Sequence, residues 1–159
     1  MENPSEETTS RWEGLPSWLL GQTANHARRL LGDGFSSVGA RGYHYRLLAT
    51  LEDAGPASQA ELGRRSGIHL SDMVATINEL ARDGLVERAP DPADRRRNII
   101  SLTPEGTRRL RLLEKRLAEV QDELLAPLSP DERQRFTELL SKVLDHHNRR
   151  SGSPEEPWR

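Results

Sequence analysis

The segment from Leu85 to Gly106 constrains the fold of this 159-residue chain more than any other. Val86 on one side, and Ile99 and Ile100 on the other, sit in short apolar runs around Pro90-Asp91-Pro92-Ala93-Asp94. β-Branched residues flanking a Pro/Asp turn read as the two arms of a β-hairpin. The far side of that turn carries Arg95, Arg96 and Arg97 in succession, so the tip is cationic. Thr103-Pro104 then predicts a helix start, with threonine as N-cap and proline at the first helical position, where its missing N–H is not needed. Guanidinium groups held away from the protein body on a hairpin call for an anionic partner, and a nucleic-acid groove supplies one.

The residues just before the hairpin strengthen that reading. Ser58-Gln59-Ala60-Glu61 has the form of a capping box and starts a short helix over 59–65 that breaks at Ser66-Gly67. Ser71 is the expected N-cap of the next helix, over 72–82, whose inner face is Met73, Ile77 and Leu80 and whose stop is Gly84. Two helices joined by a tight glycine-containing turn form a helix-turn-helix. On the expected outer face stand Ser71, Asp72, Ala75, Thr76 and Glu79. There the Ser71 hydroxyl would reach a phosphate or base, Asp72 a cytosine amino group, and Ala75 with the Thr76 methyl a thymine methyl. An ordinary solvated helix face has the same composition, and the residues alone leave both readings open. Gln59, Arg64 and Arg65 fall where DNA backbone contacts are expected. Three adjacent arginines cannot all enter one groove. The expected division is one in the minor groove, one paired with an acid such as Asp94 and one on phosphate, with Arg96 as the inserting residue.

Outside this lobe the pattern is helical. Leu15, Trp18, Leu19, His26 and Leu30 share a face of a first helix that Gly32-Asp33-Gly34 is expected to close. Tyr43, Leu47, Leu51 and Ala54 mark a second helix over 41–54, stopped by Gly55-Pro56. After the hairpin, Leu110, Leu113, Leu117, Val120 and Leu124 recur at alternating steps of three and four, the seam one helix shows to another. A last helix from about Ser129 carries Phe136, Leu139, Leu140, Val143 and Leu144. The expected fold is mainly α with a small β-hairpin wing: a winged helix-turn-helix plus long N- and C-terminal dimerisation helices. Leu15, Leu19, Leu113, Leu117, Leu139 and Val143 are the expected dimer contacts. The boundaries are a disordered arm over 1–13, a single domain over 14–148 and a mobile tail over 149–159. Within the domain, 14–36 and 104–148 dimerise and 40–103 binds DNA.

Composition narrows the function further. The net charge is only −2, but nine basic against five acidic residues between 85 and 116 give that stretch +4 and leave −6 on the rest. Such asymmetry orients a molecule toward a polyanion without making all of it adhesive. With no cysteine, thiol nucleophiles, thiolate metal sites and disulfides are excluded. The five histidines lack metal-ligand spacing, and no nucleophile triad, phosphate loop or paired carboxylate appears, so neither an enzyme nor a cofactor or metal is expected. No apolar run approaches a membrane span and the first residues are unlike a signal peptide, which points to the cytoplasm and away from membranes. Trp18, Tyr43 and Leu47 are either core or the lining of a pocket for a small aromatic effector.

The residues that identify a family are now in view. Gly55-Pro56 with Ser58-Gln59-Ala60-Glu61-Leu62, then Gly84-Leu85-Val86-Glu87-Arg88, then Asp91-Pro92-Ala93-Asp94-Arg95-Arg96 with Ser101-Leu102-Thr103-Pro104-Glu105-Gly106, resemble the multiple antibiotic resistance regulator (MarR) family. The resemblance covers about residues 15–148. It implies a bacterial or archaeal homodimer on double-stranded DNA, with recognition helices in successive major grooves of a pseudo-palindromic operator and wings in the flanking minor grooves. It also implies repression relieved by a small ligand. Two departures stand out: Leu70, Ser71 and Asp72 where relatives often carry arginine-serine-threonine, and Ala75 where a cation often follows one turn later. The operator preference of relatives therefore does not carry over. These departures also keep alive an alternative, a winged-helix protein–protein interaction module that no longer reads DNA.

Overall fold

A helix-rich chain with one short sheet emerges from the computed structural model, which describes residues 10–151. The order is α1 (Pro16–Ser36), α2 (Gly42–Ala54), β1 (Ala57–Ser58), α3 (Gln59–Ser66), α4 (Leu70–Arg82), β2 (Val86–Pro90), β3 (Asn98–Leu102), α5 (Pro104–Leu124) and α6 (Pro130–Ser151). The hairpin forms as the sequence predicts, β2 and β3 pairing antiparallel from Val86 opposite Leu102 to Pro90 opposite Asn98. A third strand, β1, pairs with the other edge of β3. Two residues are too few to show alternation, so nothing in the sequence announced it.

The core lies where α2, α3, α4 and α5 meet the inner face of β3. Leu47, Leu48, Leu62, Met73, Ile77, Leu80, Ile100, Leu110 and Leu113 are all buried there. Thr103 starts α5 as expected: its Oγ1 accepts from the Gly106 N–H at 3.0 Å and donates to the Gly84 carbonyl at 2.7 Å, tying α5 to the end of α4.

Several expectations are corrected. Gly32 and Gly34 do not end α1, which continues to Ser36. Gly34 is instead the point of closest approach to α5, where a Cβ would fall 2.5 Å from Val120 Cγ2. Beyond it, the α5 side chains of Arg116 and Arg109 donate to the Gly34 and Val38 carbonyls and fasten the end of α1. The α5 seam is internal: Leu110, Leu113 and Val120 are buried within their own chain, against α1 and α2. Leu113 is thereby removed from a dimer surface, and Leu117 is half-buried on the same core.

Tyr43 and Leu47 are core residues, packed with Phe35. Trp18 lies seventeen residues before Phe35 on α1, about 25 Å along the helix. It meets Trp12 edge-on with ring centroids 5.5 Å apart. These three residues do not line one pocket. Of the expected N-terminal arm, residues 1–9 lie outside the described residues, and 10–13 form a turn in which the Ser10 N–H donates to Glu13 Oε2 at 2.9 Å. Of the expected tail, 149–151 belong to α6 and the rest lies outside the described residues.

Candidate nucleic-acid interface

The α3–α4 pair is built by local chemistry. Ser58 Oγ accepts from the Glu61 N–H at 3.3 Å, the first half of a capping box, while the Glu61 carboxylate turns to Arg65 at 3.0 and 2.6 Å. Gly67, at φ 65°, supplies the left-handed residue that ends α3 and turns the chain toward α4. Helix α4 begins at Leu70 with His69 as N-cap and no side-chain cap bond, so Ser71 sits in the first turn rather than capping it.

The register of α4 sorts its side chains differently from the expectation. Met73, Thr76, Ile77 and Leu80 face inward and are buried. Thr76 is removed from the outer face: its Oγ1 donates back to the Asp72 carbonyl at 2.7 Å, which satisfies the hydroxyl inside the core. Facing outward and exposed are Leu70, Ser71, Val74, Ala75 and Asn78, with Asp72 half-buried beside them. Of these, Leu70, Val74 and Asn78 were not singled out as contacts, although their i, i+4 spacing marks one ridge.

Glu79 also leaves the outer face. It accepts from Arg41 Nη2 at 2.5 Å and His44 Nε2 at 2.7 Å. The Arg41 N–H donates to His44 Nδ1 at 3.2 Å, so the imidazole carries its proton on Nε2 and presents it to Glu79. The His44 hydrogen bond, with Arg41 and against the opposing effect of burial, holds the Glu79 carboxyl below its ordinary value. The start of α2 is thus clamped to the middle of α4.

The wing tip over 91–97 is closed by its own acids. Asp91 Oδ1 accepts from the Ala93 N–H at 2.9 Å and Asp94 Oδ1 from the Arg96 N–H at 3.1 Å, two Asx turns in succession. The Asp91 N–H donates to the Arg97 carbonyl at 2.8 Å across the mouth of the loop. Two of the three arginines are paired where the sequence predicts one: Arg97 stands 3.2 Å from Asp91 and 3.8 Å from Asp94, and Arg96, the expected inserting residue, also meets Asp94. Arg96 touches Asp94 at 3.3 Å yet leaves 92% of its side chain exposed. Arg95 is exposed and has no ion partner among the described residues. On the wing's inner arm, Arg88 donates to Asn78 Oδ1 and ties hairpin to α4.

Helix and wing meet in a notch of about 260 Å³ lined by Ser58, Gln59, Ala60, Leu70, Arg97 and Asn98. Gln59 is therefore beside the wing, Arg64 is exposed on α3, and Arg65 is engaged by Glu61. A second groove, about 300 Å³, runs between α1 and α6 and is lined by Pro16, Leu19, Leu20, Thr23, Phe136, Leu139, Leu140 and Val143. Leu15, Leu19, Leu139 and Val143 are each about half exposed, and none of residues 130–150 of α6 is buried. No described helix is long and apolar enough to cross a membrane, and no group of three or more potential metal ligands is found among the described residues.

Comparison with known proteins agrees with this geometry. A family model described as MarR family matches residues 39–97, which span the start of α2 through the wing tip. The HTH-type transcriptional repressor NicR of Pseudomonas putida is 32% identical over 98 residues, 62% of each chain, so the match spans less than two thirds of that repressor. The multiple antibiotic resistance protein MarR of Salmonella typhimurium is 27% identical over 117 residues, 73% of this chain and 81% of that one. Among solved structures, the PcaV transcriptional regulator of Streptomyces coelicolor is 30% identical with a TM-score of 0.72, covering 84% of this chain and 98% of PcaV. Bound to its natural ligand, PcaV aligns with a TM-score of 0.69 at 29% identity, over 86% of this chain and 96% of that one.

Proposed function

The chain belongs to the MarR family of transcriptional regulators, and from that premise we propose that it is a cytoplasmic, dimeric, DNA-binding repressor of a bacterial or archaeal cell. In this reading the α4 ridge enters the major groove of a pseudo-palindromic operator and the wing tip enters the minor groove. Ser71 and Ala75 lie on that ridge with Asp72 at its edge; Arg95 and Arg96 are the wing's outward cations. Gln59, Arg64 and Arg97 meet the phosphate backbone, helped by the N–H groups at the start of α3. Residues 40–103 form the DNA-binding lobe; α1, α5 and α6 carry dimerisation through Leu15, Leu19, Leu139 and Val143. Relief by a small ligand is supported by the ligand-bound form of PcaV, and repression by the name of NicR. It is a regulator, not an enzyme.

The observation that carries this reading is the wing: two exposed arginines on a loop braced by Asp91 and Asp94, tied through Arg88 to the neighbouring helix. Binding to the chain's own upstream region in a gel-shift assay tests it. The complex should weaken steeply with salt as condensed counterions are released. Arg95→Ala and Arg96→Ala should each weaken binding about tenfold, the order expected for a lost groove or phosphate contact, while Arg149→Ala on α6 should not. A chain that shifts neither genomic fragments nor random duplex at low salt refutes the proposal and leaves the protein–protein module in its place.

A further inference from the structure

The outward ridge of α4 has an unusual chemistry for a surface that meets a polyanion. Leu70, Val74 and Asn78 follow one another at i, i+4, with Ser71 and Ala75 alongside, and all five are exposed. Leu70 is 67% and Val74 40% exposed. No residue of this ridge carries a charge. The charged residues of the helix are Asp72, at the ridge's edge, Glu79, turned toward Arg41 and His44, and Arg82, in the last turn. The cations lie next door on the wing, and Arg88 ties that wing to Asn78.

A bare aliphatic ridge beside a cationic wing has one complement in B-form DNA. The only alkyl group that the four bases expose in the major groove is the thymine C5-methyl. Asn78 adds a single polar contact: Arg88 already engages its Oδ1, which leaves the NH₂ to donate to an acceptor such as a purine N7. We infer that this chain selects its DNA site by thymine methyl groups, read by Leu70, Val74 and Ala75, with affinity supplied by the wing and specificity by the ridge. The inference rests on the DNA-binding reading above and deepens it: the half-site presents clustered thymines to α4, with a purine within reach of Asn78.

Replacing thymine by deoxyuridine tests this, because it deletes the methyl and leaves every hydrogen-bonding group in place. Sites are first selected from random-sequence duplex with the full chain. Each half-site thymine is then exchanged singly for deoxyuridine, and affinity is measured at fixed salt. Every methyl that the ridge touches should cost about fourfold in affinity, the worth of one buried methyl. Val74→Ser and Leu70→Gln, both at exposed positions that leave the core untouched, should each bind nearly alike the thymine and deoxyuridine duplexes exchanged at the methyl that residue reads. Arg96→Ala should weaken both duplexes equally and keep the discrimination. If the chain binds DNA but no deoxyuridine exchange changes affinity, or if selection returns no thymine preference, methyl readout is wrong and the DNA-binding reading survives. If no duplex is bound at low salt, the DNA-binding reading falls and takes this inference with it.

Discussion

At Gly106 the structure asks for a residue with no side chain at all. A Cβ there would lie 2.1 Å from the Leu85 carbonyl oxygen and 2.7 Å from Leu102 Cδ1. The backbone oxygen belongs to the residue just before β2 and cannot move aside cheaply. Gly106→Ala should therefore destabilise the fold by about 3 kcal/mol, at the upper end of overpacking costs, read as a lowered urea midpoint. The glycine following Thr103-Pro104-Glu105 is thus explained by close approach, because the start of α5 rests directly on the end of α4 and on the wing. Gly34 is the milder case, since its neighbour Val120 is a side chain; Gly34→Ala should cost less than Gly106→Ala in the same experiment.

Between elements, the clamp of Arg41 and His44 on Glu79 joins α2 to the middle of α4 and so fixes the attitude of the outward ridge. Because Glu79 is held below its ordinary value of 4.5, its ionised form is favoured in the folded chain. The stability it contributes is complete above the unfolded value and disappears as pH falls through the lowered folded one. The melting temperature of the natural chain should exceed that of Glu79→Gln at pH 7, and the gap should close as pH drops below about 4.5. A gap that stays constant through that range would show that the carboxylate charge has no part in the clamp. Much at this scale was legible in the sequence. Caps, most glycine stops and the Asp-rich tip act over a few residues, so the helix-turn-helix and the wing could be read directly, though two tip arginines pair with acids where the sequence predicts one. What could not be read is which side of an element its neighbours cover. Thr76 is polar yet faces inward because its hydroxyl is satisfied by its own helix, while Leu70 and Val74 are apolar yet face outward. Polarity alone therefore assigned the α4 face wrongly at Thr76 and missed its aliphatic ridge. Glycine at 34 looks like a helix stop until Val120, eighty-six residues later, arrives beside it.

For the whole molecule, the same limit separates the two apolar stripes of the C-terminal helices. Periodicity shows that a stripe is covered, not by which chain. The α5 stripe is covered internally, so Leu113→Ala should cost about 2–5 kcal/mol as a core truncation. The α6 stripe remains open in the single chain, and Val143→Asp should leave the helical content intact while halving the mass seen by light scattering. A Val143→Asp chain that keeps the mass of a dimer would move the interface elsewhere. Helix α6, 22 residues long, makes little burial of its own; in the proposed dimer it completes that burial against a second copy, which links its stability to association. The melting temperature should then climb as the protein is made more concentrated. Below its dissociation constant, the proposed dimer that would grip both halves of a palindrome grows as the square of the chain concentration, so doubling synthesis raises it roughly fourfold. If the chain is the dimeric repressor proposed above, an under-buried helix near one end of it sharpens the dose response of the gene it governs.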